Sequence, residues 1–177
     1  EKVSNITKYK GRFPKDIPED SPMLINCEYG SFDNAHKVIP RTRFDITIDE
    51  TSPRPGQQTF EKMTAGFYLG DLLRLTLLEA YTEGITFEDA PAEFVKCLNT
   101  PQCIDASFLS RIELDESDDL VTAKKLFADE FKYPNATTDE VKFAKAAAQL
   151  ISNRAARLPI CGVAAVCKKR GYKKCHI

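Results

Sequence analysis

The sequence predicts a mixed α/β fold, strands first and helices after, on three observations. Short apolar runs bounded by Pro and Gly open the chain, apolar residues at helical spacing fill its middle, and an Ala-rich run closes it. The first run, Met23-Leu24-Ile25-Asn26-Cys27, lies between Pro22 and Gly30 and has the pattern of a buried strand ending in a turn. Residues 37–39 and Phe44-Asp45-Ile46-Thr47-Ile48 predict further strands, the latter alternating apolar and polar. The stretch Thr51-Ser52-Pro53-Arg54-Pro55-Gly56 must be a loop, because its two prolines lack backbone donors.

Across residues 57–83, Phe60, Met63, Phe67, Leu69, Leu72, Leu73 and Leu77 recur at spacings near three and four, which predicts one or two buried helices stopped at Gly84. Shorter helices are expected over residues 92–98 and 119–131, with the acidic run 113–119 as a solvated loop between them. Thr138-Asp139-Glu140 begins a long helix reaching residue 169, with a kink or break at Pro159.

Composition bounds the function. With 177 residues, 42% of them hydrophobic, the chain can bury one core without a metal or a disulfide. No apolar run approaches the ~20 residues of a membrane span. The 25 basic residues against 26 acidic ones give a net charge of -1, so no electropositive field favours nucleic acid. Six cysteines without a CxxC pair, and two histidines lacking a second ligand at metal spacing, predict no metal site. The cysteines are expected to be reduced, mostly buried small side chains of a cytoplasmic protein. The chain opens at Glu1 without a secretory leader, which predicts either processing or a piece of a longer protein. There is no GxGxxG, GxxxxGK[ST] or GxSxG motif, so the reaction centre of an enzyme would not lie wholly inside this chain.

Two constellations could carry chemistry. Glu28 stands where an apolar run gives way to a glycine turn, which suits either a ligand cleft or a plain surface turn. Gln58 and Glu61, three apart in the first turn of a predicted helix, offer donors and acceptors to a hydroxyl-rich ligand; the simpler reading is that Glu61 complements the helix amino terminus. As a carboxylate pair, Glu28 and Glu61 also admit a glycosidase. Gly66 and Gly70 form a GxxxG that points to close helix contact before it points to a ligand. The basic residues 168–170, 173 and 174 read as partners of a helix carboxyl terminus rather than of phosphates.

Longer stretches carry a resemblance. Asp20-Ser21-Pro22-Met23, Ile25-Asn26-Cys27-Glu28-Tyr29-Gly30-Ser31-Phe32-Asp33-Asn34, Ser52-Pro53-Arg54-Pro55-Gly56-Gln57-Gln58-Thr59-Phe60-Glu61-Lys62-Met63-Thr64, Leu69-Gly70-Asp71-Leu72-Leu73-Arg74-Leu75 and Asn153-Arg154-Ala155-Ala156-Arg157-Leu158 resemble a fungal hexokinase along nearly the whole chain. The resemblance implies residues 1–177 as part of the large, carboxyl-terminal domain of a two-domain enzyme with the actin-like, ribonuclease-H-like ATPase fold. It implies transfer of the γ-phosphoryl group of ATP, with Mg2+, to the 6-hydroxyl of glucose, fructose or mannose. It places Glu28 and Glu61 on sugar hydroxyls with Gln58 and Asn26 beside them, and Gly66, Phe67, Ala106, Ser107 and Ser110 at the nucleotide. A homodimer is a candidate assembly. The family's catalytic aspartate has no counterpart here, so the segment alone is expected to be inactive. Ala106 stands where the family commonly carries a threonine, with Ser107 and Ser110 as candidate substitutes. That departure motivates an alternative, a catalytically inactive, hexokinase-like sugar-sensing regulator.

Overall fold

Thr42, Asp105 and Thr137 each start a helix by accepting a hydrogen bond from a backbone N–H of its first turn. At Thr42 and Thr137 the third helical residue, Asp45 or Glu140, returns a bond to the cap and closes a capping box. The computed structural model describes residues 18, 20–22, 24 and 26–174. Among them the helices are α1 (Arg43–Thr51), α2 (Thr59–Thr64), α3 (Gly66–Thr82), α4 (Ala92–Leu98), α5 (Ala106–Glu113), α6 (Val121–Phe131) and α7 (Thr138–Arg170), preceded by a 3-10 turn at Tyr29–Ser31.

The core lies between α3, α4, α5, α6 and α7. Phe87, Phe94, Phe108, Phe127, Leu73 and Leu77 are buried there, and Phe94 meets Phe127, Phe131 and Tyr133 at ring centroid separations of 5.8, 5.3 and 5.6 Å. Burial and the Glu140 carboxylate, which accepts from the Tyr133 hydroxyl at 2.8 Å, push the Tyr133 phenol well above its ordinary value. Gly70 permits the closest approach of all. A Cβ there would lie 1.9 Å from the Ile104 carbonyl oxygen, so the GxxxG serves helix contact at this position.

The expected strands are absent among the described residues, apart from a single bridge at Pro22. Residues 44–48 belong to α1, because the capping box starts a helix and Asp45 turns inward to Arg154 in place of exposing a polar strand face. The N–H groups of Lys37, Val38 and Ile39 all point at the Asp33 carboxylate, at 2.7, 3.0 and 2.8 Å, so no ladder can use them. Of the first predicted strand, Met23 and Ile25 lie outside the described residues, and Leu24 is 99% exposed. Helix α5 was not anticipated. The acidic run is not simply solvated either, since Asp115 is buried and accepts from the N–H groups of Ser117 and Ala123, which starts α6.

Helix α7 continues through Pro159 without a break. By length and composition it could cross a membrane, although Arg154 within it is tied to α1. The expectation for cysteines is also corrected. A turn through Thr100 brings Cys97 and Cys103 to a Cα separation of 5.4 Å, and they form a disulfide. Cys27, Cys103 and Cys161 are exposed, so of the described cysteines only Cys97 is a buried small side chain.

Candidate functional site

The loop that carries Glu28 is fixed by its neighbours. Asn26 Nδ2 donates to Glu28 Oε1 at 2.7 Å, and Glu28 adopts a left-handed backbone (φ 43°) that turns the chain into the 3-10 turn. Gly30 follows, where a Cβ would sit 2.9 Å from Gln58 Oε1 and 3.0 Å from Glu61 Oε2. Glycine at this position is what lets α2 bring its polar side chains against the loop. Ser31 Oγ donates to Gln58 Oε1 at 2.7 Å, and Asn34 Oδ1 accepts from the N–H and hydroxyl of Thr59, both at 3.1 Å. Backbone bonds, that from Ile39 first, hold the Asp33 carboxyl below its usual range.

Gln58 is itself left-handed (φ 53°) at the start of α2. Non-glycine residues in this region carry backbone strain that their surroundings must offset. Here the offset comes from behind. The buried Lys62 ammonium reaches Asp49 Oδ1 at 2.6 Å and the Arg54 carbonyl at 2.7 Å, while Asp49 also accepts from the Gly56 N–H at 3.0 Å. Burial acts to raise the Asp49 carboxyl, but Lys62 and the Gly56 N–H outweigh it and keep it lowered.

Asn26, Glu28, Tyr29, Gly30, Phe60, Glu61, Thr64 and Pro159 line an open depression of about 310 Å³. Its floor is aromatic, with the Phe60 ring 5.4 Å from Tyr29 and 5.9 Å from Phe32. Exposed carboxylates and amides over an aromatic floor suit a polyhydroxylated ring, which offers hydroxyl donors on its edge and C–H groups on its face. Three of the four expected sugar contacts, Asn26, Glu28 and Glu61, share this depression; Gln58 stands behind Gly30 on Ser31.

The expected nucleotide residues gather separately. Gly66 begins α3 and Ala106 begins α5, and a Cβ on Gly66 would lie 3.8 Å from the Ala106 Cβ, so two helix amino termini sit side by side. Phe67 is 67% exposed beside them. The Ser107 hydroxyl donates to Asp105 at 2.8 Å and the Ser110 hydroxyl to the Ala106 carbonyl at 3.3 Å. The Ser107 bond, with the Phe108 N–H, lowers the Asp105 carboxyl. Only residues 62–65 separate Glu61 from Gly66, so the two groups are adjacent along the chain.

A hexokinase family model matches residues 1–177. The chain belongs to the hexokinase family. It is 51% identical over 174 residues to hexokinase-2 of Saccharomyces cerevisiae and 50% identical over 175 residues to the hexokinase of Kluyveromyces lactis, covering 98% and 99% of this chain. It spans 35% of the length of each of these relatives. Among solved structures, a Schistosoma mansoni hexokinase complexed with glucose superposes with a TM-score of 0.74 at 26% identity, over 88% of this chain and 35% of that one.

Several residues that shape this candidate site were not visible as such in the sequence. Tyr29, Pro159, Asp49 and Lys62 are ordinary residue types at ordinary spacings, and only the fold reveals that they meet. Lys62 gave no signal either, since its helical neighbours three and four positions away are Gln58, Thr59, Ala65 and Gly66.

Proposed function

We propose that the protein to which this chain belongs transfers the γ-phosphoryl group of MgATP to the 6-hydroxyl of glucose and related hexoses such as fructose and mannose. Glu28, Glu61 and Asn26 hold sugar hydroxyls, with Gln58 beside them, and the amino termini of α3 and α5, through Gly66, Phe67, Ala106, Ser107 and Ser110, hold the nucleotide. The observation that carries this reading is the convergence of Asn26, Glu28 and Glu61 on one depression, one short loop from the Gly66 and Ala106 pair. The glucose-complexed neighbour supports it. Carboxylates at fixed positions orient a sugar by accepting short hydrogen bonds from its hydroxyls.

The residues fit the nucleotide and not the metal by itself. Adjacent helix amino termini present N–H groups to an anion, at α3 without a side-chain cap and at α5 beside the Phe108 N–H that Asp105 takes. Among the described residues no group of three acid, His or Cys side chains suits a cation, so Mg2+ would arrive on the phosphates. Phosphoryl transfer also needs a base and phosphate-binding loops. The chain therefore supplies binding surfaces of the large, actin-like α/β domain of a soluble, cytoplasmic kinase and is inactive alone. The relatives described above, all named hexokinases, do not favour a sugar-sensing regulator or a glycosidase.

Glu61→Gln in the full-length enzyme tests the sugar site. The expected loss in kcat/KM for glucose, followed by ADP formation, is about a hundredfold, as an interaction of a few kcal/mol requires. An unchanged kcat/KM would remove Glu61 from the site.

A further inference from the structure

We propose that Cys97 and Cys103 are a reversible thiol–disulfide modification site, exchanged by a glutathione-class thiol, whose oxidised form fixes the loop that presents the nucleotide half of the site. The functional half of this proposal rests on the nucleotide reading above; the modification itself does not.

A crosslink here has no global task. It joins residues six apart, so it removes less chain entropy from the unfolded state than a long-range crosslink would, and a chain of this size builds its core without staples. Its effect is local, on residues 98–104. That loop is already attached to α3 at defined points. Arg74 donates to the Leu98 carbonyl at 2.7 Å, and Asp71 Oδ1 accepts from the Gln102 N–H at 2.7 Å and from Arg74 Nε at 2.6 Å. Gln102 is held left-handed (φ 58°), and the Ile104 carbonyl fills the space over Gly70. The next residue, Asp105, caps α5 through the Phe108 N–H at 2.9 Å, and Ala106 then faces Gly66. The disulfide thus closes the free side of a loop whose other side is pinned by Asp71 and Arg74, and whose end sets the amino terminus of α5. Reduction leaves the α3 contacts in place, so it loosens the α5 start without unfolding the core.

The two sulfurs differ in access. Cys103 is exposed, whereas Cys97 is 6% exposed and belongs to the core cluster. A thiolate from outside therefore attacks Cys103 Sγ, forming a mixed disulfide there and releasing Cys97 as thiolate, which takes up a proton. A second thiol attacks the outside sulfur of the mixed disulfide and frees Cys103. The balance is two glutathione thiols oxidised to one glutathione disulfide as one protein disulfide becomes two thiols; excess glutathione disulfide runs the same steps backward.

The full-length enzyme is equilibrated in reduced or oxidised glutathione buffer, quenched with iodoacetamide and digested with trypsin, which leaves both cysteines on the peptide of residues 97–111. Oxidised buffer should protect both cysteines and reduced buffer should expose both. The KM for ATP should be about fivefold higher in reduced buffer, at the low end of ordinary site-to-site couplings, with the KM for glucose unchanged. Cys103→Ser should show the reduced value in both buffers. Double alkylation in oxidised buffer overturns the modification, and one KM for ATP in both buffers for the wild type overturns its functional half. Gly66→Val, measured in both buffers, separates the two readings: a raised KM for ATP keeps the nucleotide site, and an unchanged one discards that site and the functional half of this proposal with it.

Discussion

The hydroxyl of Tyr29 donates to the carbonyl of Pro159 at 2.9 Å, joining the loop of Glu28 to the middle of α7. The ring lies against Gly162, where a Cβ would approach to 3.1 Å of its Cζ, so a helix position without a side chain makes room for it. Removing the hydroxyl while keeping the ring isolates the bond. Tyr29→Phe should lower stability by about 1 kcal/mol, read from the urea midpoint, and raise the KM for glucose more than it lowers kcat. A midpoint and a KM that both stay at wild-type values would show the bond to be idle.

Lys62 and Asp49 form a buried pair, and removing Lys62 leaves the Asp49 carboxylate with only the longer contact to Arg41, at 3.8 Å, and the Gly56 N–H. Lys62→Met should cost roughly 3–5 kcal/mol. The double variant Asp49→Asn/Lys62→Met should recover part of that loss, because neither residue is then an unpaired ion. No recovery in the double variant would mean that the Arg54 and Gly56 contacts, not the ion pair, carry the effect.

Gly70 has no room for a methyl group. Gly70→Ala would gain helix propensity but drive a carbon into the Ile104 carbonyl, so a net destabilisation of about 3 kcal/mol is expected, with thermal unfolding as the measurement. A variant as stable as wild type would show that residues 98–104 can retreat from α3.

Acid should undo the link between α1 and α7. Burial acts to raise the Asp45 carboxyl, but the two-point bond from Arg154, at 2.8 and 2.7 Å, and the bonds from Thr42 hold it below its ordinary value. A depressed folded value stabilises the protein fully above the unfolded pKa of about 3.9, and that contribution is lost as pH falls below it toward the folded value. Asp45→Asn should therefore flatten the decline in stability below about pH 4, measured by denaturant titration at each pH. An acid limb as steep as in the wild type would assign the decline to other carboxylates.

The helices with strong local signals were readable from residues alone. The start at Thr138-Asp139-Glu140 and the Ala-rich stripe marked α7, and residues 92–98 were found as α4. Helix α1 was misread because Phe44 to Ile48 alternates as a strand does, and what decides it is a capping box and an inward aspartate whose partner lies 109 positions away. The disulfide escaped because a spacing of six has no fixed geometry until a turn supplies it. At the site, residue types suggested Glu28 and the Gln58 and Glu61 pair, but only longer matched stretches suggested Gly66 with Ala106. Local pattern carries no information on which helix termini will be neighbours, since that depends on α3 meeting residue 104 through Gly70.

The bonds from Tyr29 to Pro159 and from Arg154 to Asp45 span 130 and 109 positions. A ribosome adding ~5–20 residues per second needs on the order of ten seconds to make the second half of each bond after the first has emerged. During that interval the Glu28 loop and α1 have no partner on α7, and ring closure over so long a segment is slow even once the partner exists. The first part of the proposed sugar-facing surface to be synthesised is therefore among the last to be set in place, and newly made chains pass through a stage in which the Asp45 carboxylate of α1 has no Arg154 to pair with.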